Sequence, residues 1–186
     1  MNIFYLDEDP FVCAKRMCDQ HITKMPLESA QILSTAHRVL DGTLVVGKTK
    51  SGRNAKRWVL NKYDDKFYLA AYVNHPSTVW ARQSSEHYTW LYEHFRALCL
   101  EFFERYRHHH SSWNKLKFFL SKLPENIEDN GFVAPPQCMP DDYKHTDTII
   151  AYNLYYASKF TDWCAKGRPM RWTKSGLVSY GSRYLA

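Results

Sequence analysis

The stretch from 78 to 107, "TVWARQSSEHYTWLYEHFRALCLEFFERYR", constrains the fold more than any other part of this chain. Tyr88, Leu91, Tyr92, Phe95, Leu98, Cys99, Phe102 and Tyr106 recur at steps of three or four, the spacing of one helix face. A stripe this long and this aromatic belongs in a core, against other helices, rather than around a cofactor. Further helices are legible on either side. Asp9 before Pro10 is a helix-start signal, and Phe11 to about Cys18 reads as a short helix. Pro26 ends one turn or opens a new helix, after which Leu27, Ala30, Ile32, Leu33, Ala36, Val39 and Leu40 keep helical spacing. Glu28, Gln31, Thr35 and Arg38 share another face of that helix. One more helix fits 112–122, closed by Pro124, and a last one runs from about Asp147 to Ala165, stopped by Gly167 and Pro169. Between these two lies a long proline-rich loop. With no repeat and no linker, the expectation is an all-α fold, a single compact helical domain over 1–186, with long irregular loops and a basic aromatic C-terminal tail.

The chain has 186 residues, 45% of them hydrophobic, which is enough for one domain with a sizeable core. Its net charge of +6 favours an anionic partner such as nucleic acid. Five cysteines at irregular spacing, with no Cys-x-x-Cys, read as reduced thiols of a cytoplasmic protein. No run of 18 apolar residues is present, and "MNIFYLDEDP" is unlike a signal peptide.

The cations cluster. "DGTLVVGKTKSGRNAKR", from 41, holds three glycines and five basic residues, with Asp41 its one acid. It is a basic loop, or a hairpin around Thr43 to Val46, and either grips phosphates or is a solvated connection. The tail from Lys166 to Arg183 interleaves its cations with Trp172 and Tyr180, just before Tyr184. Cations beside stacking rings suit an exposed base and its phosphates; the alternative is a docked tail whose rings cap the core.

Other chemistries find little support. His108, His109 and His110 are consecutive and point in different directions, and no His-x-x-x-His or Glu-x-x-His pair occurs, so no metal site or cofactor is expected. There is neither a Gly-x-Ser-x-Gly turn nor a Walker loop. Cys18 and His21, at one-turn spacing, read as a structural pair rather than as nucleophile and base.

"DQH" at 19–21, followed by Glu28, resembles the bacteriophage pyrimidine-dimer DNA glycosylase family, also called endonuclease V. "NHPSTVWARQSSEHYTWL" is similar to the family's histidine and threonine leading into its long helix. "MPDDYKHTDTIIAYNLYYASKF" looks like the segment that opens its last helix, and "RPMRWTKSG" like its terminal stretch. The four segments keep the family's order and cover about a third of the chain, while 41–62 looks like an insertion.

The resemblance implies a small all-α enzyme without a metal, probing duplex DNA that is kinked or has an unstacked nucleotide. In that family the α-amine of the first residue attacks the sugar C1′, the damaged base leaves, and β-elimination from the Schiff base nicks the strand. Carried onto this sequence, the nucleophile is the Met1 amine and Glu28 is the acid/base and iminium partner. Gln20, His21, Lys24 and Gln31 line the pocket; Arg168, Arg171, Trp172 and Lys174 hold DNA. The chemistry is sound in itself, because α-amines titrate at roughly 8 and are partly neutral at pH 7, and a carboxylate can move their protons. The sequence also departs from the family. The chain starts Met1-Asn2 where the family exposes a threonine followed by arginine, and Leu27 and Gln31 stand where it has arginines. Phosphate clamping then falls to Lys24, Arg38 or the basic loop. The leading expectation is a monomeric DNA glycosylase and abasic-site lyase acting on a damaged or modified pyrimidine, in the cytoplasm of a bacterial host if phage-encoded. Two alternatives stay open. A non-catalytic nucleic-acid-binding protein predicts salt-dependent affinity without a covalent intermediate. An enzyme on a small nucleotide predicts weak DNA binding and a closed pocket around Glu28.

Overall fold

The aromatic stripe becomes the central helix of the molecule, which is described here by a computed structural model over residues 1–48 and 51–172. The elements run α1 (Pro10–Arg16), α2 (Asp19–Asp41), β1 (Thr43–Lys48), β2 (Asn54–Val59), α3 (Pro76–Ala81), α4 (Ser85–Tyr106), α5 (Ser111–Leu120) and α6 (Thr148–Ala165). A 3-10 turn, Asp141–Tyr143, precedes α6. Helix α4 packs against α1, α2, α3 and α5. Its Tyr88, Leu91, Phe95 and Cys99 enter one hydrophobic cluster, with Ile32 and Leu33 of α2 and Leu116 and Leu120 of α5. Its Ala97, Leu98 and Phe102 enter a second, with Ile22 and Met25 of α2, Cys13 and Ala14 of α1, and Tyr152 and Tyr156 of α6. The N-terminal segment threads between the two: Ile3 belongs to the first cluster, and Phe4, Tyr5 and Leu6 to the second.

The structure corrects three expectations. The protein is mostly helical but not all-α, because β1 and β2 pair antiparallel, Thr43 opposite Val59 through Lys48 opposite Asn54. β-branched Val45 and Val46 favour the extended backbone, and Gly52, at φ 78°, supplies a turn conformation that a side chain would strain. Pro26 neither ends nor begins a helix; it lies inside α2. A mid-helix proline costs about 3 kcal/mol, but Ile22, Met25, Ile32 and Leu33 on the same helix are all buried, at about 1.5–3 kcal/mol each. Packing wins. The helix expected over 78–107 is two helices, α3 and α4. At the break, the Ser84 hydroxyl accepts the amides of Glu86 and Asn130, and the Ser85 amide donates to the Glu128 carbonyl. A loop distant in sequence therefore satisfies the new helix end.

Two buried arginines tie the elements together. Arg38, 1% exposed, donates to Asp64 and to the carbonyls of Trp58, Asp64, Tyr68 and Phe67. Its guanidinium is thus spent on the root of the hairpin and cannot serve as the phosphate clamp considered above. Arg105 joins α4 to the start of α2 through Asp19 and the Met17 and Lys15 carbonyls. Gly42, at the end of α2, fits only because it lacks Cβ, which would collide with the Arg38 carbonyl.

Candidate active site

Asn2 anchors the start of the chain. Its Nδ2 donates to the Cys138 carbonyl at 2.9 Å, and its Oδ1 accepts the Phe4 amide at 3.0 Å. Phe4 turns the backbone through the left-handed region, with φ 53°. That conformation is rare for a bulky residue and is held here by packing: the Phe4 ring lies 4.7 Å from the His21 ring and 5.4 Å from the Tyr156 ring. The carbonyl of Phe4 accepts the Cys13 thiol at 3.1 Å. Residue 1 is thereby fixed beside the loop at 136–139, which Tyr152 of α6 holds through its hydroxyl to Pro136 at 2.7 Å.

The charges of the chain start and of Glu28 both act on one ring, that of His75. His75 is the N-cap of α3, and its Nδ1 accepts the Ser77 amide at 3.2 Å, which in the neutral ring leaves the proton on Nε2. Burial pushes the His75 imidazole below its ordinary value, the positive charge of the chain start pushes it further down, and the Glu28 carboxylate pulls it back up. The Met1 amine and Glu28 therefore act on this ring in opposite senses. Glu28 stands in the middle of α2 with its side chain 15% exposed, and its Oε1 lies 2.8 Å from Nζ of Lys24, one turn earlier. Gln31 is half-buried one turn later, and its side chain makes no hydrogen bond among the described residues.

The other expected site residues sort by position. His21 is buried: its Nδ1 shares a hydrogen bond with the Tyr156 hydroxyl at 2.7 Å, and Cys18 Sγ lies 3.4 Å away. Burial, with the charges of Lys24 and Lys159, pushes His21 down to about 3. Burial also raises the Cys18 thiol, so this pair carries no thiolate. Gln20 grips the tail, donating to the Pro169 carbonyl at 2.8 Å and accepting the Arg171 amide at 3.1 Å. Trp172 is docked, its indole donating to the Arg16 carbonyl at 3.0 Å and packing on Phe160. Arg168 and Arg171 are exposed. The tail thus docks through Met170 and Trp172 while it presents two arginines. Lys174 lies outside the described residues.

The sequence reading left three residues of this region without a role. Asn2 orders the chain start, His75 senses the charges of the amine and of Glu28, and Lys159 lies 4.4 Å from the Tyr155 ring centroid with its charge acting on His21. Only His75 carried a local signal, the His-Pro-Ser pattern of an N-cap before proline. No group of three or more His, Cys, Asp or Glu side chains suited to a metal occurs among the described residues.

The chain-start amine and the Glu28 carboxylate thus both act by charge on the His75 ring, and Lys24 pairs with Glu28 one turn away. The pyrimidine dimer DNA glycosylase family matches residues 1–115, more than half of the chain, and the chain belongs to that family. Met1, Glu28 and His75 all lie within the matched residues. No curated protein and no solved structure matches the chain. The family makes the protein a DNA glycosylase, with DNA as substrate.

Proposed function

We propose that this protein removes a damaged or modified pyrimidine from duplex DNA and then cleaves the abasic site, with the Met1 α-amine as nucleophile and Glu28 as the proton carrier. The observation that carries the proposal is the family match over residues 1–115, which contain both Met1 and Glu28; the charges of the two also act on His75 in opposite senses. The neutral amine attacks C1′ of the target nucleotide; the C1′–N bond breaks, and its electron pair leaves with the base, which takes up a proton. Ring opening gives an iminium between the amine and C1′, and the Glu28 carboxylate balances its charge. Removal of a C2′ proton then expels the 3′ phosphate and nicks the strand.

Lys24 and Gln31 flank Glu28 and line the pocket, and Arg168 and Arg171 contact phosphates. Gln20 acts through the tail that it holds, and His21 supports the pocket floor through Phe4. Reaching C1′ requires an unstacked nucleotide in kinked DNA.

Borohydride trapping tests this directly. Wild-type protein with ultraviolet-irradiated or abasic duplex should give a covalent band, and acetylation of the α-amine should remove it. A band that survives acetylation would exclude Met1 as the nucleophile.

A further inference from the structure

The hairpin is the part of the molecule that the proposed chemistry does not use. Between Gly42 and Tyr63 the chain carries Lys48, Lys50, Arg53, Lys56, Arg57 and Lys62 and no acid. Lys48, Lys56 and Arg57 are exposed, and none of these three forms an ion pair among the described residues. Both faces of the ribbon meet solvent: Leu44 and Val46 are 48% and 69% exposed on one, and Val45 and Val59 are exposed on the other. A two-stranded hairpin with no covered face is marginal by itself. Here it is rooted, because Arg38 binds the Trp58 carbonyl at 2.7 Å and also Asp64, whose Oδ1 accepts the Leu60 amide at 2.9 Å. The result is a fixed base and a cationic arm projecting from it.

We infer that the β1–β2 ribbon is a second DNA contact, a cationic arm that lies along the duplex and binds phosphates away from the reacting nucleotide. This rests on the reading of duplex DNA as substrate. An antiparallel two-stranded ribbon is narrow enough for the major groove, and six cations without an acid complement a phosphate backbone. The reach follows from α2, which carries both Glu28 and the hairpin root. Fourteen residues at about 1.5 Å each separate them by about 21 Å, or about six base pairs at about 3.4 Å per step.

The test measures duplex affinity against salt in a Glu28→Gln background, so that chemistry does not consume the DNA. Neutralising Lys48, Lys56 and Arg57 together to Gln should reduce the slope of log K against log salt by about 2–3. Neutralising Lys115, Lys117 and Lys122 to Gln is the control for net charge and should change it by less than about 1. An unchanged slope in the ribbon variant, or equal losses in both variants, overturns the arm; the first is also what a ribbon made for a protein partner would give. Trapping by the wild-type protein reports separately on the Schiff-base reading, so a band without ribbon dependence sinks the arm alone.

Discussion

Lys24 Nζ and Glu28 Oε1 are 2.8 Å apart across one turn of α2, with the lysine side chain 63% exposed and the glutamate 15%. The cation reaches in from solvent to a carboxylate that is mostly covered. A helix pair one turn apart whose cation stays in solvent is worth little to folding, about 0.3–0.5 kcal/mol, so its place in the molecule is better explained by the charge it balances.

Glu28→Gln keeps the shape of the side chain and removes its charge. Thermal unfolding should show a change of no more than about 0.5 kcal/mol, while the yield of trapped adduct per unit time should fall at least about 100-fold, the usual scale for loss of a general acid/base. Equal trapping by the variant would remove Glu28 from the chemistry.

His75→Asn keeps a good N-cap for α3 and removes a titrating ring on which the amine's charge acts. Burial and the α-amine hold His75 below its ordinary value, so it is neutral around pH 7 and gains its proton only on the acid side. A proton there sets a second positive charge against the iminium. Wild-type trapping should therefore decline toward acid by a component that the variant lacks, and the variant to wild-type ratio should rise about threefold or more between about pH 7.5 and about pH 5. A ratio independent of pH would show that the ring only caps the helix.

Three buried histidines make folding sensitive to acid. Burial lowers His21 to about 3, His37 to about 4 and His94 to about 3. Each binds its proton in the unfolded chain near 6.5 but not in the folded one. Their stabilisation is therefore complete above about pH 6.5 and is lost as pH falls toward the folded values, each contributing about 1.4 kcal/mol per pH unit. His94 is the sharpest probe, because neither ring nitrogen has a partner among the described residues. Urea midpoints between about pH 6 and about pH 4 should fall less steeply for His94→Phe than for wild type, by about that slope.

Gln20→Ala should free the tail. Two hydrogen bonds to the backbone at Pro169 and Arg171 are lost, each worth about 1 kcal/mol. Limited trypsin digestion should cut after Arg168 and Arg171 about 10–30 times faster. Unchanged cleavage would mean that Trp172 and Met170 hold the tail without Gln20.

Local signals were read correctly where the physics is local. The three-and-four spacing of Leu91, Phe95, Leu98 and Phe102 needs no partner to be recognised, because side chains on one helix face must share one environment. Asp147 and Asp9 mark helix starts because their carboxylates accept amides two and three residues away. The basic run at 48–57 was visible as charge, but its ribbon geometry depends on Val45 facing Arg57 and Val46 facing Lys56 across the turn.

The sequence by itself determined that helices would enclose an aromatic core, that a basic segment would stand apart from it, and that Glu28 and Gln31 would share a helix face. Only the tertiary structure decided that α2 runs through Pro26, that the long helix breaks at Ser84, and that the chain start is held to the loop at 136–139. Those outcomes depend on partners far away in the chain: buried apolar neighbours offset a proline, the Glu128 carbonyl receives the Ser85 amide, and Asn2 is pinned to Cys138. Spacing along one segment carries the first kind of information and has no access to the second.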